Sequence, residues 1–223
     1  MASVAEIWRY PVKSMAGERL ESCMVTMQGL EGDRRWAFVD GAPHRAGKLF
    51  NIKQHDRLMT YRARYSGGAV EVMTPEGETE ILNGSLVQKL ELESGRPLQL
   101  RDLAGGNFDD EPVLIVNLAS IAAFALEAGV PVDHRRFRAN LYLEGSEPDE
   151  EIRWVGTRIR AGDAELEVVS RCVRCVVITK DPDTTAATPE LLDLLVDRHD
   201  KCLGVYCQVI RPGRVAVGDP VGY

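Results

Sequence analysis

The sequence lacks a disulfide framework, a long apolar run and a basic charge balance. Its five cysteines are an odd number without framework spacing, which argues against a disulfide-stapled secreted domain and favours a reducing compartment. No stretch approaches the roughly 18 apolar residues that a membrane-spanning helix needs. The N-terminus also lacks the apolar core of a signal peptide. We therefore expect a cytoplasmic protein without a membrane segment.

Acidic residues outnumber basic ones by 34 to 27, and the formal net charge of −7 argues against a general nucleic-acid-binding protein. The sequence has no Gly-x-Gly-x-x-Gly motif, so it offers no dinucleotide-binding fingerprint. At 223 residues the chain fits one large domain or two small ones. A chain of this size buries roughly 70% of its unfolded surface, so it needs no disulfides to fold.

Short apolar runs separated by turn residues fill the first half of the chain. Trp36–Val39 is closed by Asp40-Gly41, and Val70–Thr74 is followed by Pro75-Glu76-Gly77. Runs this short, with turns this regular, predict a β-barrel or a β-sandwich. The first half is therefore expected to consist mostly of strands.

The second half contains strands and short helices. The continuous apolar run Val113–Val116 predicts a buried strand. One helix is predicted over 121–128 with Ser120 as its N-cap, and another from Thr188-Pro189-Glu190 to about His199. The fold prediction is mainly β with a few short helices, in the α+β class.

Two thiols lie three residues apart in Cys172-Val173-Arg174-Cys175. A thiolate is a nucleophile and a soft-metal ligand, and neighbouring arginine charge lowers the pKa of a thiol from about 8.5. The spacing alone leaves three interpretations open: ordinary strand residues, redox chemistry, or a zinc site that would recruit Cys202 and Cys207. The Asp181-Pro182-Asp183-Thr184 segment that follows is typical of a turn, although Asp183 is also a candidate proton donor.

Arginine is concentrated in Arg135-Arg136-Phe137-Arg138, although the chain is acidic. If this segment is a strand, Arg136 and Arg138 face the same side. Guanidinium groups bind carboxylate and phosphate through paired hydrogen bonds and stack on flat rings. The cluster therefore predicts a binding site for an anion.

Short segments spread over nearly the whole chain resemble, in order, the MOSC-domain proteins with an N-terminal MOSC β-barrel, the family that includes the mitochondrial amidoxime-reducing component. The matching segments are Arg9-Tyr10-Pro11-Val12-Lys13-Ser14, Gly32-Asp33-Arg34-Arg35-Trp36, Pro112-Val113-Leu114-Ile115, Arg136-Phe137-Arg138-Ala139-Asn140-Leu141, Cys172-Val173-Arg174-Cys175, Asp181-Pro182-Asp183-Thr184 and Val217-Gly218-Asp219-Pro220-Val221. The resemblance implies an N-terminal β-barrel-like domain over residues 1–84, packed on a MOSC β-barrel domain over 85–223. The boundary between them is expected between 84 and 110.

The resemblance also implies a molybdenum–molybdopterin cofactor with Cys175 as the metal ligand, and thiolate is a suitable donor for a thiophilic metal. The resemblance, together with the need of a phosphate for cationic and polar donors, implies a set of candidate cofactor-binding residues. They are Lys13, Ser14, Arg34, Ser120, Arg138, Asn140, Arg174 and Cys175. The candidate catalytic residues are Cys175 and Asp183. In Asp109-Asp110-Glu111 the chain departs from relatives that have small hydroxyl residues there, and acidic groups would repel a phosphate that they faced.

The implied activity is a two-electron reduction of N-hydroxylated compounds such as amidoximes and hydroxylamines, with cleavage of the N–O bond. The implied partners are the small N-hydroxylated substrate and an external electron-donor protein, a ferredoxin- or cytochrome-type carrier with its reductase. Neither nucleic acid nor a membrane is expected as a partner. Two alternatives remain: a cofactor carrier or sulfur-transfer protein with a persulfide on Cys175, and a cysteine-based zinc or thiol module.

Overall fold

A computed structural model describes residues 2–223, and it confirms a mainly β fold with three α-helices. The elements of the first half are β1 (Ala2–Arg9), β2 (Glu18–Leu20), β3 (Ser22–Thr26), β4 (Gly29–Leu30), β5 (Trp36–Asp40), β6 (Leu49–Phe50), β7 (Arg62–Ser66), β8 (Ala69–Met73), β9 (Thr79–Ile81), α1 (Gly84–Ser94) and β10 (Leu98–Asp102). Those of the second half are β11 (Val113–Asn117), α2 (Leu118–Ala128), β12 (Leu141–Glu144), β13 (Arg158–Ala161), β14 (Ala164–Val173), α3 (Glu190–Arg198), β15 (Cys202–Arg211), β16 (Gly213–Ala216) and β17 (Pro220–Gly222). Short 3-10 helices span Asp56–Thr60, His134–Phe137, Glu150–Trp154 and Val176–Thr179.

Seven strands form a closed barrel in the order β12-β11-β15-β14-β13-β17-β1, because β1 pairs back onto β12. Alternate residues of the long β14–β15 pair point inward, among them Leu166, Val168, Val205 and Val209. Burial of these side chains against each other stabilises the barrel, since a barrel of this size is filled by its own interior side chains. The first strand of the chain thus completes the barrel of the second half.

Three three-stranded sheets surround the barrel: β10-β5-β6, β16-β3-β4 and β7-β8-β9. A second apolar cluster, which includes Phe38, Phe50, Leu58 and Tyr61, is covered by Leu86 and Leu90 of α1. Because β10 pairs with β5 along its whole length, α1 and β10 pack with the strands that precede them. The domain division of the chain stays a prediction.

Helix α2 begins earlier than the sequence predicts. The Asn117 side chain accepts a hydrogen bond from the Ala119 amide at 3.0 Å and is the N-cap, whereas Ser120 lies inside the helix. Asparagine is as good an N-cap as serine, and Asn117 is the last residue of β11, so the helix starts directly after the strand. The helix ends at Gly129 in the left-handed conformation that glycine tolerates.

The segment predicted as a strand around Arg136 and Arg138 is a 3-10 helix instead. The Asp133 carboxylate accepts a hydrogen bond from the Arg135 amide at 2.8 Å and starts the turn. Arg138 ends it in the left-handed region with φ +53°, and β12 starts only at Leu141. The strand alternation expected for these arginines therefore does not apply.

Among residues 2–223, no helix combines the length and apolar character needed to cross a membrane.

Candidate functional site

A cleft with a volume of about 300 Å³ lies where the two halves of the chain meet. The first half contributes the loop after β1 and Arg34 in the turn before β5. The second half contributes the 3-10 helix at 134–137 and the end of β14. Six of the residues that line it are cationic: Lys13, Arg34, Lys53, Arg136, Arg138 and Arg174. Such a concentration of cations in a chain of net charge −7 gives the cleft a local charge opposite to that of the whole chain.

The two neighbouring thiols both line this cleft, but they differ in exposure. Cys172 lies in β14 and is 1% exposed within an apolar cluster, whereas Cys175 is exposed just after that strand ends. Cys175 has an extended backbone and precedes the 3-10 helix Val176–Thr179. Of the two, Cys175 is therefore the thiol available to a ligand that enters the cleft.

Arg174, between the thiols, is a fixed part of the wall. Its guanidinium donates to the carbonyl groups of Phe137 and Leu203, both at 2.8 Å, and lies 5.1 Å from the centre of the Phe137 ring. The residue is 6% exposed. Its carbonyl partners hold the start of the Cys175 segment against the 3-10 helix at 134–137.

Arg34 and Asn140 belong to one buried network. The Arg34 guanidinium pairs with the Asp33 carboxylate and donates to the Arg138 carbonyl at 2.9 Å and to Asn140 Oδ1 at 3.3 Å. Asn140 is 1% exposed, donates to Asp33 Oδ2 at 3.0 Å and does not line the cleft. The structure thus places Asn140 where it positions Arg34, and its role as a cofactor contact stays a prediction.

Arg138 lines the cleft with its guanidinium 4.5 Å from the centre of the Tyr10 ring, and Arg34 lies 4.8 Å from the centre of the same ring. The Arg138 side chain also donates to the Met15 carbonyl at 2.7 Å. Burial lowers the pKa of Arg138 from its ordinary value, an effect that the neighbouring Tyr10 opposes. Burial likewise raises the pKa of Tyr10 to about 12, although both arginines lower it.

Lys13 shares the cleft with a carboxylate. Its Nζ donates to the Asn107 carbonyl at 2.7 Å and to Asp109 Oδ1 at 2.9 Å. Burial lowers the pKa of Lys13, and the neighbouring Asp109 partly restores it. Ser14, next to Lys13, lines the cleft with φ +76°, a conformation that is uncommon for a non-glycine residue. The acidic departure noted in the sequence thus faces the site through Asp109.

Besides Asn140, two more predicted site residues, Ser120 and Asp183, lie outside the cleft lining. The Ser120 Oγ donates to the Glu151 carboxylate at 3.1 Å and accepts from the Asp149 amide at 2.8 Å, because α2 packs there against the 3-10 helix Glu150–Trp154. Asp183 accepts hydrogen bonds from Arg62 and Arg135 at the surface. Asp181 Oδ1 accepts from the Asp183 amide at 3.1 Å and forms the predicted turn. The structure therefore does not bring Ser120 or Asp183 together with Cys175 in the cleft, and their predicted roles stay predictions.

The cleft lining includes residues outside the predicted set of cofactor-binding residues. Arg136 is 7% exposed, donates to the Thr179 carbonyl at 2.9 Å and keeps its buried Nε without a partner among residues 2–223. Its place in an arginine-rich run was the available signal. Asn51 and Lys53 also line the cleft, and no motif marks them. Within the described chain, no group of three or more His, Cys, Asp or Glu side chains is arranged to hold a metal ion, so the four-cysteine site is not assembled there.

Comparison with protein families matches residues 100–222 to the MOSC domain and residues 1–103 to the MOSC N-terminal beta barrel domain. The chain belongs to the MOSC family. Human mitochondrial amidoxime-reducing component 1 is 26% identical to it, over 99% of this chain and 82% of that protein. The molybdenum cofactor sulfurase of Caenorhabditis briggsae is 32% identical, over 92% of this chain but only 33% of the sulfurase.

Among solved structures, the YUAD protein from Bacillus subtilis superimposes with a TM-score of 0.55 at 19% identity, covering 99% of this chain and 94% of the other. At that identity the likeness concerns the fold alone. It extends over both the barrel and the surrounding sheets of this MOSC chain.

Proposed function

We propose that this MOSC protein is a molybdenum-cofactor-dependent reductase of N-hydroxylated compounds. The observation that carries the proposal is the exposed Cys175 thiol on a cleft with six cationic side chains. An anionic cofactor that contains a soft metal requires these two features together, because phosphate needs cationic donors and molybdenum a thiolate. The unpartnered Nε of Arg136 is a further donor that such a ligand would satisfy.

In this proposal Cys175 ligates the molybdenum, and Lys13, Arg136 and Arg138 bind the anionic part of the cofactor. Arg34 and Arg174 fix the walls of the cleft, since most of their donors bind protein groups. When bound, the cofactor supplies the two-electron chemistry that cleaves the N–O bond. Conversion of an amidoxime to an amidine consumes two electrons and two protons and releases water. The relatives named amidoxime-reducing components support this reaction class through alignments over 99% of the chain.

The proposal is tested by measuring molybdenum content and benzamidoxime reduction with reduced methyl viologen on the same preparation. Cys175→Ser is expected to abolish turnover and to lower bound molybdenum sharply, because a hydroxyl group does not replace a thiolate at a soft metal. Cys172→Ala is the matched control and is expected to keep most of both. Equal losses in the two variants would contradict the ligand assignment.

The sulfurase match favours a second candidate function, a cofactor carrier or sulfur-transfer protein with a persulfide on Cys175. Cyanide releases thiocyanate from a persulfide, so cyanolysis of the purified chain tests this candidate directly. Thiocyanate release that is lost in Cys175→Ser, without benzamidoxime turnover in the original protein, would favour the carrier. Turnover with bound molybdenum near one per chain would favour the reductase.

A further inference from the structure

A second cavity, of about 160 Å³, shares one lining residue, Arg138, with the cleft. Its lining combines the aromatic residues Trp8 and Tyr10 with four arginines, of which Arg19 and Arg138 are two. Met59 and Pro182 complete an apolar wall. We call this cavity the arginine–aromatic pocket. Only Arg138 lines both cavities, so the pocket is separate from the cysteine site.

The arginines of the pocket differ in how far they are neutralised. Arg62 and Arg135 both bind the Asp183 carboxylate, at 3.0 Å and 2.6 Å. Arg19 has only a distant partner, Glu6, at 3.9 Å. Arg138 donates to a carbonyl group and has no carboxylate within salt-bridge distance in the part of the chain that the structure describes. The pocket therefore retains positive charge that an anion would neutralise.

The aromatic side is held in place before any ligand arrives. The Trp8 indole Nε1 donates to Glu6 Oε2 at 2.6 Å, and the Trp8 and Tyr10 rings are nearly parallel at a centroid distance of 6.4 Å. Arg19 is directly opposite Trp8 in the β1–β2 pair, so its side chain adjoins the indole. A rigid site of this kind binds with less loss of side-chain freedom.

Size and chemistry together define the ligand. A cavity of about 150 Å³ accommodates one benzene-sized molecule. Flat apolar walls suit one aromatic ring, and guanidinium groups suit a carboxylate. We propose that the arginine–aromatic pocket binds a single-ring aromatic carboxylate, with Trp8 and Tyr10 against the ring and Arg19 on the acid group.

Benzoate is the probe, and the Trp8 indole resonance of the full-length, cofactor-containing protein is the readout. Trp8→Phe assigns that resonance among the three tryptophans of the chain. Benzoate is expected to shift it in a saturable manner. Benzamide, which keeps the ring without the charge, is expected to bind at least tenfold more weakly, because a hydrogen bond to a charged group is worth about 1.5–3 kcal/mol. Inorganic phosphate is expected to leave the Trp8 resonance in place.

Two variants separate the pocket from the cleft. Arg19→Ala is expected to weaken benzoate binding at least threefold without changing molybdenum content, because Arg19 does not line the cleft. Lys53→Ala, a matched loss of one exposed cation of the cleft, is expected to leave benzoate affinity unchanged. Benzamide binding as tightly as benzoate, an unperturbed Trp8 resonance, or equal benzoate affinity in Arg19→Ala and the original protein would overturn the proposal.

Discussion

The arginine side chains of the cleft differ in how many of their N–H groups already donate hydrogen bonds to other protein groups. Arg174 gives its guanidinium to the carbonyl groups of Phe137 and Leu203. Arg136 keeps one buried nitrogen without a partner in the described chain. A buried donor without a partner costs about 1–3 kcal/mol, which a ligand that accepts its hydrogen bond would recover. Arg136 is therefore the arginine of the cleft with most to gain from a bound anion.

Asp109→Asn is expected to raise the affinity of the cofactor-free protein for inorganic phosphate. The carboxylate occupies one donor of Lys13 and cancels part of its charge. The protein groups around Asp109 displace some of its water and so raise its pKa, but the contact with Lys13 outweighs this effect and lowers the pKa below its ordinary value. The acid therefore stays ionised at neutral and mildly acidic pH. Its side chain is 83% exposed, so the gain should be only about two- to fivefold.

Asp110→Asn is the control for this prediction, since it removes the same formal charge from an exposed neighbour that does not line the cleft. Isothermal titration calorimetry with phosphate at low ionic strength measures both variants. Equal affinities would show that long-range charge, and not the contact with Lys13, sets the binding.

At the residue scale, the sequence identified much of the site because local motifs mark it. Cys175, Lys13 and Arg138 stand in recognisable segments, and all three line the cleft. Asn51 and Lys53 could not be found, because only the tertiary fold brings their loop to the cleft. Ser120 is a candidate cofactor-binding residue from the sequence, yet helix packing directs its hydroxyl group to Glu151.

At the scale of elements, helix α2 is joined to the 3-10 helix Glu150–Trp154 by one buried carboxylate. Glu151 is 1% exposed and accepts hydrogen bonds from the Ser120 hydroxyl at 3.1 Å and the Asn117 amide at 3.2 Å. Burial raises the pKa of Glu151, although these donors oppose the rise. An acid with a raised pKa in the folded state makes stability fall as pH rises from its ordinary range through the raised value.

Glu151→Gln is expected to remove that pH dependence, because the amide does not titrate. The difference in free energy of unfolding, Glu151→Gln minus the original protein, should therefore be larger at pH 7.5 than at pH 5. Urea denaturation at the two pH values measures the change, and Glu147→Gln, at an exposed position, should show no such trend. Parallel pH profiles for Glu151→Gln and the original protein would contradict the assignment.

Strand β15 depends on a glycine where it passes β11 and Arg174. A Cβ atom at Gly204 would lie 2.6 Å from Val116 Cγ2, 2.7 Å from the Ile115 carbonyl oxygen and 3.2 Å from Arg174 Nη2. Gly204 also has φ +81°, where side chains are strained. Gly204→Ala is therefore expected to destabilise the fold by about 1–2 kcal/mol for the backbone, plus about 1–3 kcal/mol for overpacking.

The control is Gly218→Ala, at φ +89° with no atom within 4 Å of the added Cβ. It carries the backbone strain alone, so urea denaturation should show the smaller loss. Because the added methyl group at position 204 crowds the Arg174 guanidinium, that variant should also retain less molybdenum. Equal destabilisation of the two variants would show that the packing at Gly204 relaxes freely.

Element boundaries followed the sequence where a cap or a strong apolar run defines them. The strand predicted over Val113–Val116 is β11, which extends one residue further, to Asn117. The helix predicted to end at about His199 is α3, which ends at Arg198. The expectation of a strand around Arg136 was wrong because the hydrogen bond from the Arg135 amide to the Asp133 carboxylate starts a 3-10 helix there. A local hydrogen bond to the backbone decides such a segment, and residue composition does not reveal it.

At the scale of the whole molecule, the chain closes its barrel with its first strand. Val4 pairs with Leu143, a contact across most of the sequence. Apolar periodicity predicts that a strand exists but not which strand it pairs with, so local sequence patterns could not predict that β1 closes the barrel. The closure also explains the site, because it brings Lys13 from the first half beside Cys175 from the second.

The final prediction concerns the source of electrons. Each reduction of an N–O bond consumes two electrons, and the sequence contains no Gly-x-Gly-x-x-Gly fingerprint through which a nicotinamide dinucleotide would bind. The purified chain is therefore expected not to reduce benzamidoxime with NADH or NADPH alone. It should do so with reduced methyl viologen, or with a ferredoxin- or cytochrome-type carrier and its reductase. The assay follows benzamidine formation under anaerobic conditions, with Cys175→Ser as the control for direct reduction by the dye. NADH-driven turnover by the pure chain would mean that the protein has its own path for electrons from the nicotinamide.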